Sequence, residues 1–273
     1  MKYKKVWSVF FSATGTTQKI VAQIAGGISK ELGLPEQSFD FTLPEARKEA
    51  LRFTKDDLVV FGTPVIAGRV PNLLLKYLDT LEGGGAAAVP VVLYGNRNFD
   101  DALIELRDIL EKGGFHTIAA AAFIGEHSFS EILAKGRPDE ADLLLAKSFA
   151  EKTAEKAAAL QAYGAPVDVE GIPSPYRGYY QPRDRHDNHI DIRKVKPVTS
   201  AGCDNCMICV KLCPLGSIDS NNASEVPGIC MKCCACIKKC PKKAKYFDDA
   251  GYLFHQRELE EVYARRAEPR WFL

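Results

Sequence analysis

Cys203, Cys206, Cys209 and Cys213, followed by Pro214, recur 27 residues later as Cys230, Cys233, Cys236 and Cys240, followed by Pro241. No other feature of this 273-residue chain limits its structure so tightly. Three thiols at successive three-residue steps converge on one point, and the N–H groups between them turn toward it. The fourth cysteine of each run cannot wrap back onto that point, so it reaches the other centre while the proline turns the chain away. One centre therefore takes Cys203, Cys206, Cys209 and Cys240, and the other takes Cys230, Cys233, Cys236 and Cys213.

The spacing is that of a four-iron, four-sulfur (4Fe-4S) cube. Zinc is the competing metal, but four-cysteine zinc sites pair two C-x2-C units across a longer loop. Disulfides fit poorly, because all nine cysteines lie between residues 203 and 240, the first 202 residues have none, and the count is odd. The ninth, Cys234, falls at the repeat position of Met207 and reads as a small buried hydrophobe. Over about fifty residues, with all eight ligand positions present, this stretch resembles the bacterial two-cluster 4Fe-4S ferredoxins.

The remainder has the composition of an ordinary globular protein, 46% hydrophobic and 26% charged with a net charge of +1, and its length suggests two domains. That balance gives no electrostatic case for nucleic acid, a membrane surface or an acidic partner. No apolar run approaches the roughly 18 residues of a membrane span, and no secretory core follows the basic N-terminus, so a cytoplasmic protein is expected.

Apolar runs at Tyr3–Phe11, Ser38–Phe41, Asp57–Phe61, Val89–Tyr94 and Thr117–Ile124 predict five strands. Helical patterns alternate with them: Ile20, Ile24 and Ile28 up to Gly33, one opened by Pro71, one opened by Asp100 or Asp101, and one from Pro138 to about Tyr163. The expected architecture is α/β, a doubly wound five-stranded parallel sheet, joined to a small α+β two-cluster domain. The expected divisions are 1–163, a Pro/Gly/Tyr-rich linker 164–197 that packs through Tyr176, Tyr179 and Tyr180, the cysteine domain 198–248, and a tail 249–273 with a helix from Gln256 to Arg266. His186 and His189 read as solvated linker residues.

Ser12-Ala13-Thr14-Gly15-Thr16-Thr17 joins the first strand to the first helix. It offers hydroxyls and backbone N–H groups suited to a phosphate, without lysine or arginine. With Phe11 before it, this loop resembles the flavodoxin phosphate loop, and residues 1–163 follow that family's strand–helix order. The resemblance implies flavin mononucleotide (FMN). The phosphate would lie at residues 12–17 and the ring between Pro64, Val65, Ile66, Ala67 and Gly68 on one side and Asn96, Arg97, Asn98, Phe99 and Asp100 on the other. Ile66 stands where the family uses an aromatic ring, and Phe99 is either a stacking ring or a core residue. A cation at Arg97 would favour reduced flavin. Glu126 and His127 either serve the site or cap the following helix.

The whole chain resembles flavodoxin–ferredoxin fusion proteins. That implies an electron carrier linking FMN and two 4Fe-4S clusters, within one chain or across a homodimer, and serving redox partner proteins. No side chain is nominated as catalytic. The alternative is an FMN-dependent reductase fed by the clusters, and a third class is an iron–sulfur sensor with a vestigial flavin fold.

Overall fold

The computed structural model describes residues 3–273. Its N-terminal part comprises β1 (Lys5–Phe10), α1 (Thr16–Leu32), β2 (Glu36–Asp40), β3 (Asp57–Pro64) and α2 (Asn72–Leu78). It continues with β4 (Ala87–Tyr94), α3 (Ala102–Lys112), β5 (His116–Thr117), β6 (Ala120–Ile124) and α4 (Glu140–Ala159). The strands lie in the order β2-β1-β3-β4-β6, all parallel, with β5 a short extra pairing on β4. This is a flavodoxin-like doubly wound sheet.

The hydrophobic pattern explains the layers. β3 and β4 are buried along nearly their whole length, as central strands covered on both faces must be. Successive residues of β3 feed opposite cores: Leu58 and Val60 pack with α1 and α4, and Val59 and Phe61 pack with α2 and α3. On α1, Ile20, Ile24 and Ile28 lie on one face and are fully buried, each worth about 1.5–3 kcal/mol of burial. The helix stops at Gly33, which is left-handed at φ 63° and donates to Lys30 O, while Leu34 N donates to Ser29 O.

Several element ends differ from the sequence reading. β3 runs on through Gly62, Thr63 and Pro64, because their backbones continue the ladder with β4. The run at Thr117–Ile124 is broken into β5 and β6. α4 begins at Glu140, not Pro138, because Asp139 caps it: Asp142 N donates to the Asp139 carboxylate at 3.1 Å and Asp139 N donates back at 2.9 Å.

The segment 164–197 has no helix or strand but is tied down along its length. Asp101, fully buried, accepts from Ile172 N and Arg177 N at 2.9 and 2.8 Å. Tyr176 OH donates to Asp108 and Tyr179 OH to Val70 O, with the Arg69 guanidinium over both rings.

The cysteine region holds β7 (Val198–Thr199), α5 (Ile208–Leu212), α6 (Ala235–Lys238) and β8 (Lys245–Tyr246), with β7 and β8 antiparallel. α7 spans Ala250–Val262, not Gln256–Arg266, because the Asp249 carboxylate accepts from Tyr252 N at 2.8 Å and starts the helix earlier. The chain then returns to the large sheet, where β9 (Arg270–Phe272) pairs antiparallel with β6. Among the described residues no helix is long and apolar enough to cross a membrane.

Candidate functional site

The two halves of the cysteine region are built alike. Left-handed backbone occurs at Asn205 and Lys232, Met207 and Cys234, and Gly216 and Lys243, each pair separated by the repeat length. Non-glycine residues in that region carry strain, and such strain gathers where a backbone is bent around a ligand. The bends aim N–H groups at sulfur: Asn205 N and Lys232 N donate to the Sγ of Cys203 and Cys230 at 3.4 Å. Ser217 N and Ala244 N donate to those of Cys213 and Cys240 at 3.3 Å.

Two cavities result. One, about 310 Å³ including its mouth, is lined by Cys203, Cys206, Cys209 and Cys240 with Ile208 and Ala223. The other, about 420 Å³ measured the same way, is lined by Cys213, Cys230, Cys233, Cys234 and Cys236 with Leu215, Ile218 and Met231. Each takes one thiol, Cys240 or Cys213, from the opposite run. Burial pushes the Cys233 thiol up to about 12 and raises Cys236 as well. Against its own burial, Cys240 is held below the usual thiol value by the N–H groups of Ala244, Lys242, Lys245 and Lys243. No set of three or more His, Cys, Asp or Glu among the described residues closes on a single metal ion. A larger inorganic unit with its own bridging atoms would be held by the four repeat thiols that line each apolar space. Cys234 is buried among Phe247 and Tyr252 and also lines the second cavity, at the repeat position that Met207 occupies in the first half.

The second cavity adjoins the carboxyl end of the large sheet. Leu215, Met231 and Cys233 from its wall belong to the same apolar cluster as Ala13, Val65 and Ile66. Arg47 donates to Phe41 O, Thr42 O and Pro214 O at 2.7, 2.6 and 2.5 Å, and Thr42 Oγ1 accepts from Ser12 N at 2.7 Å. A hydrogen-bonded path thus joins the 12–17 loop to the residue after Cys213. From α6, Lys238 donates to His127 O at 2.8 Å and to Glu126 at 3.3 Å. Despite its burial, Glu126 is held below its usual value by Gly136 N and Lys238. Glu126 and His127 therefore anchor the cysteine region to the sheet. At the far end of the region, Cys206 is exposed.

In the 12–17 loop, the backbone N–H groups of Ala13, Thr14, Gly15, Thr16 and Thr17 have no acceptor among the described residues. The Ser12 hydroxyl is turned inward and accepts from Gln18 N at 3.0 Å. Gly15 at φ 99° makes the bend that exposes the row, a conformation a side chain would strain. Successive free amides at a helix N-terminus form an anion cradle, and the donors fit a phosphate.

The other two loops differ from the sequence reading. Val65 N donates to Leu93 O and is spent on the sheet, and Ile66 closes a tight turn with Arg69 around left-handed Ala67 and Gly68. Asn96 is 2% exposed and its amide is taken up within the protein: it donates to Tyr263 O and Arg265 O and accepts from Ala267 N, which pins the tail. Phe99 is a core ring, 5% exposed and packed on Tyr94, not an open stacking surface. Asn98 caps its own turn by accepting from Asp100 N. Arg97 pairs with Asp100, and its guanidinium lies 4.4 Å from the Tyr180 ring. Tyr180, from the linker, also donates its N–H to Ala67 O at 2.8 Å and stacks near His255. Neither Tyr180 nor the tail was legible as part of this end of the sheet, since no local pattern marks a contact made across more than eighty residues.

No family model and no curated protein matches the chain. Among solved structures it is similar to an archaeal flavodoxin, at 19% identity over 56% of this chain and 99% of that one, with a TM-score of 0.40. A flavodoxin of Streptococcus pneumonia TIGR4 gives 18% identity over 56% and 99%, with a TM-score of 0.39. A Fusobacterium nucleatum flavodoxin mutant bound to flavin mononucleotide gives 19% over 57% and 98%, with a TM-score of 0.37. The fold assignment rests on the strand order above.

Proposed function

We propose that this chain is an electron-transfer iron–sulfur flavoprotein. FMN would be held at residues 12–17, and two 4Fe-4S clusters by Cys203, Cys206, Cys209 and Cys240 and by Cys213, Cys230, Cys233 and Cys236. The observation that carries the reading is the pair of cysteine-lined cavities, each assembled across the two runs. When bound, a flavin supplies one- or two-electron chemistry and each cluster one-electron chemistry.

The chain's own residues set the order of the carriers. Arg47 and the shared apolar cluster tie the Cys213 set to the 12–17 loop, Lys238 ties α6 to Glu126 and His127, and Cys206 of the other set is exposed. A redox partner protein would exchange electrons at that outer end. The Gly15 bend and the amides of residues 13–17 would hold the phosphate end, while Tyr180 bridges the other two loops through Ala67 O and the Arg97 guanidinium.

A potentiometric titration of anaerobically prepared protein, followed by EPR and visible absorbance, tests this. The expected result is one flavin couple and two one-electron cluster couples. A protein that shows no paramagnetic signal on reduction overturns the reading.

A further inference from the structure

Lys245 is 3% exposed and has no carboxylate partner among the described residues. Its Nζ donates to Thr199 Oγ1 at 2.8 Å across the β7–β8 pair. It lines the cavity of Cys203, Cys206, Cys209 and Cys240. The acid at the mouth of that cavity, Asp204, is paired with Lys242 at 3.6 Å.

The internal repeat supplies a built-in comparison. The position equivalent to Lys245 in the first half is Ile218, which is 5% exposed and lines the other cysteine cavity. Packing at this place is therefore satisfied by an aliphatic chain, and what lysine adds is charge. A buried ammonium with one hydroxyl partner is costly unless an anion lies beside it. Four thiolates outweigh the positive charge of a 4Fe-4S core, so the ligated unit is such an anion, and reduction adds a further negative charge.

We propose that Lys245 is a buried counter-ion of the cluster of Cys203, Cys206, Cys209 and Cys240, which favours its reduced state. The proposal rests on the iron–sulfur reading above. It makes the two halves electrostatically unequal although their ligand sets are alike, so the outer cluster becomes the better resting place for an electron.

The test compares wild type with Lys245→Ile, Lys245→Met and Lys245→Arg by iron and sulfide content and by EPR-monitored potentiometry. Expected is unchanged iron in all four. At least one midpoint should fall in the Ile and Met variants, by about a tenfold change in reduction equilibrium or about 59 mV for one electron, and Arg should restore it. Loss of iron in Ile and Met with retention in Arg also supports a charge role. Full iron with unmoved midpoints, or loss of iron in all three variants, overturns it. A wild-type protein without iron removes the iron–sulfur reading itself and this proposal with it.

Discussion

Thr14 is the residue at which the phosphate loop can be probed with least disturbance, because its side chain has no hydrogen-bond partner among the described residues. A hydrogen bond to a charged acceptor contributes about 1.5–3 kcal/mol. Thr14→Ala should therefore weaken FMN binding roughly ten- to a hundredfold while riboflavin, lacking the phosphate, is almost unaffected. Flavin fluorescence titration reads both, and equal affinity for FMN and riboflavin in the wild type would refute the loop's role. A second residue-scale effect concerns the histidines between the sheet and α7. Burial, with His255, Lys238 and Arg97 nearby, pushes His127 down to about 3, and burial with Arg97 pushes His255 down to about 4. Unfolded histidine titrates near 6.5. Between about pH 6.5 and 4 the unfolded chain thus binds protons that the folded chain excludes, and stability falls as pH falls. The urea midpoint should drop from pH 7 to pH 5, and less so in His255→Phe. A flat wild-type profile would show that these rings are not held neutral.

Among the elements, those with a local signature were legible and those made by distant contacts were not. The cysteine repeat and the fully buried β3 and β4 announce themselves in the sequence. Phe99 has the position of a stacking ring, yet its packing on Tyr94 places it in the core. Asn96 looks like a loop polar residue, but the tail arrives more than 160 positions later to take its hydrogen bonds. β9 is three residues long, too short for any periodicity, and exists because the edge of β6 is free to pair. The repeat yields an element-scale prediction. Cys240→Ala should damage the cluster built mainly from Cys203, Cys206 and Cys209 and spare the one built from Cys230, Cys233 and Cys236. Cys234→Ala should retain both, at a cost of at most about 1 kcal/mol. Selective loss of the cluster of Cys230, Cys233 and Cys236 in Cys240→Ala, seen by EPR, would refute the crossed assignment.

At the scale of the molecule, the chain folds back on itself so that sheet and cysteine region are not independent beads. The linker is bound by Asp101, α6 is bound by Glu126 and His127 through Lys238, and β9 closes the sheet edge with Trp271 stacked 5.6 Å from Phe149. Trp271→Ala should lower unfolding stability by about 2–3 kcal/mol, less than a fully buried tryptophan because the ring is partly exposed. Urea denaturation measures it, and an unchanged midpoint would mean that β9 contributes nothing to the sheet. On the proposed reading this single folded unit holds three redox groups. Its most direct test is the iron, acid-labile sulfide and flavin content of protein purified without oxygen. The expected content is about eight iron and about eight sulfide per chain, with one FMN. Stoichiometric zinc without labile sulfide would contradict it.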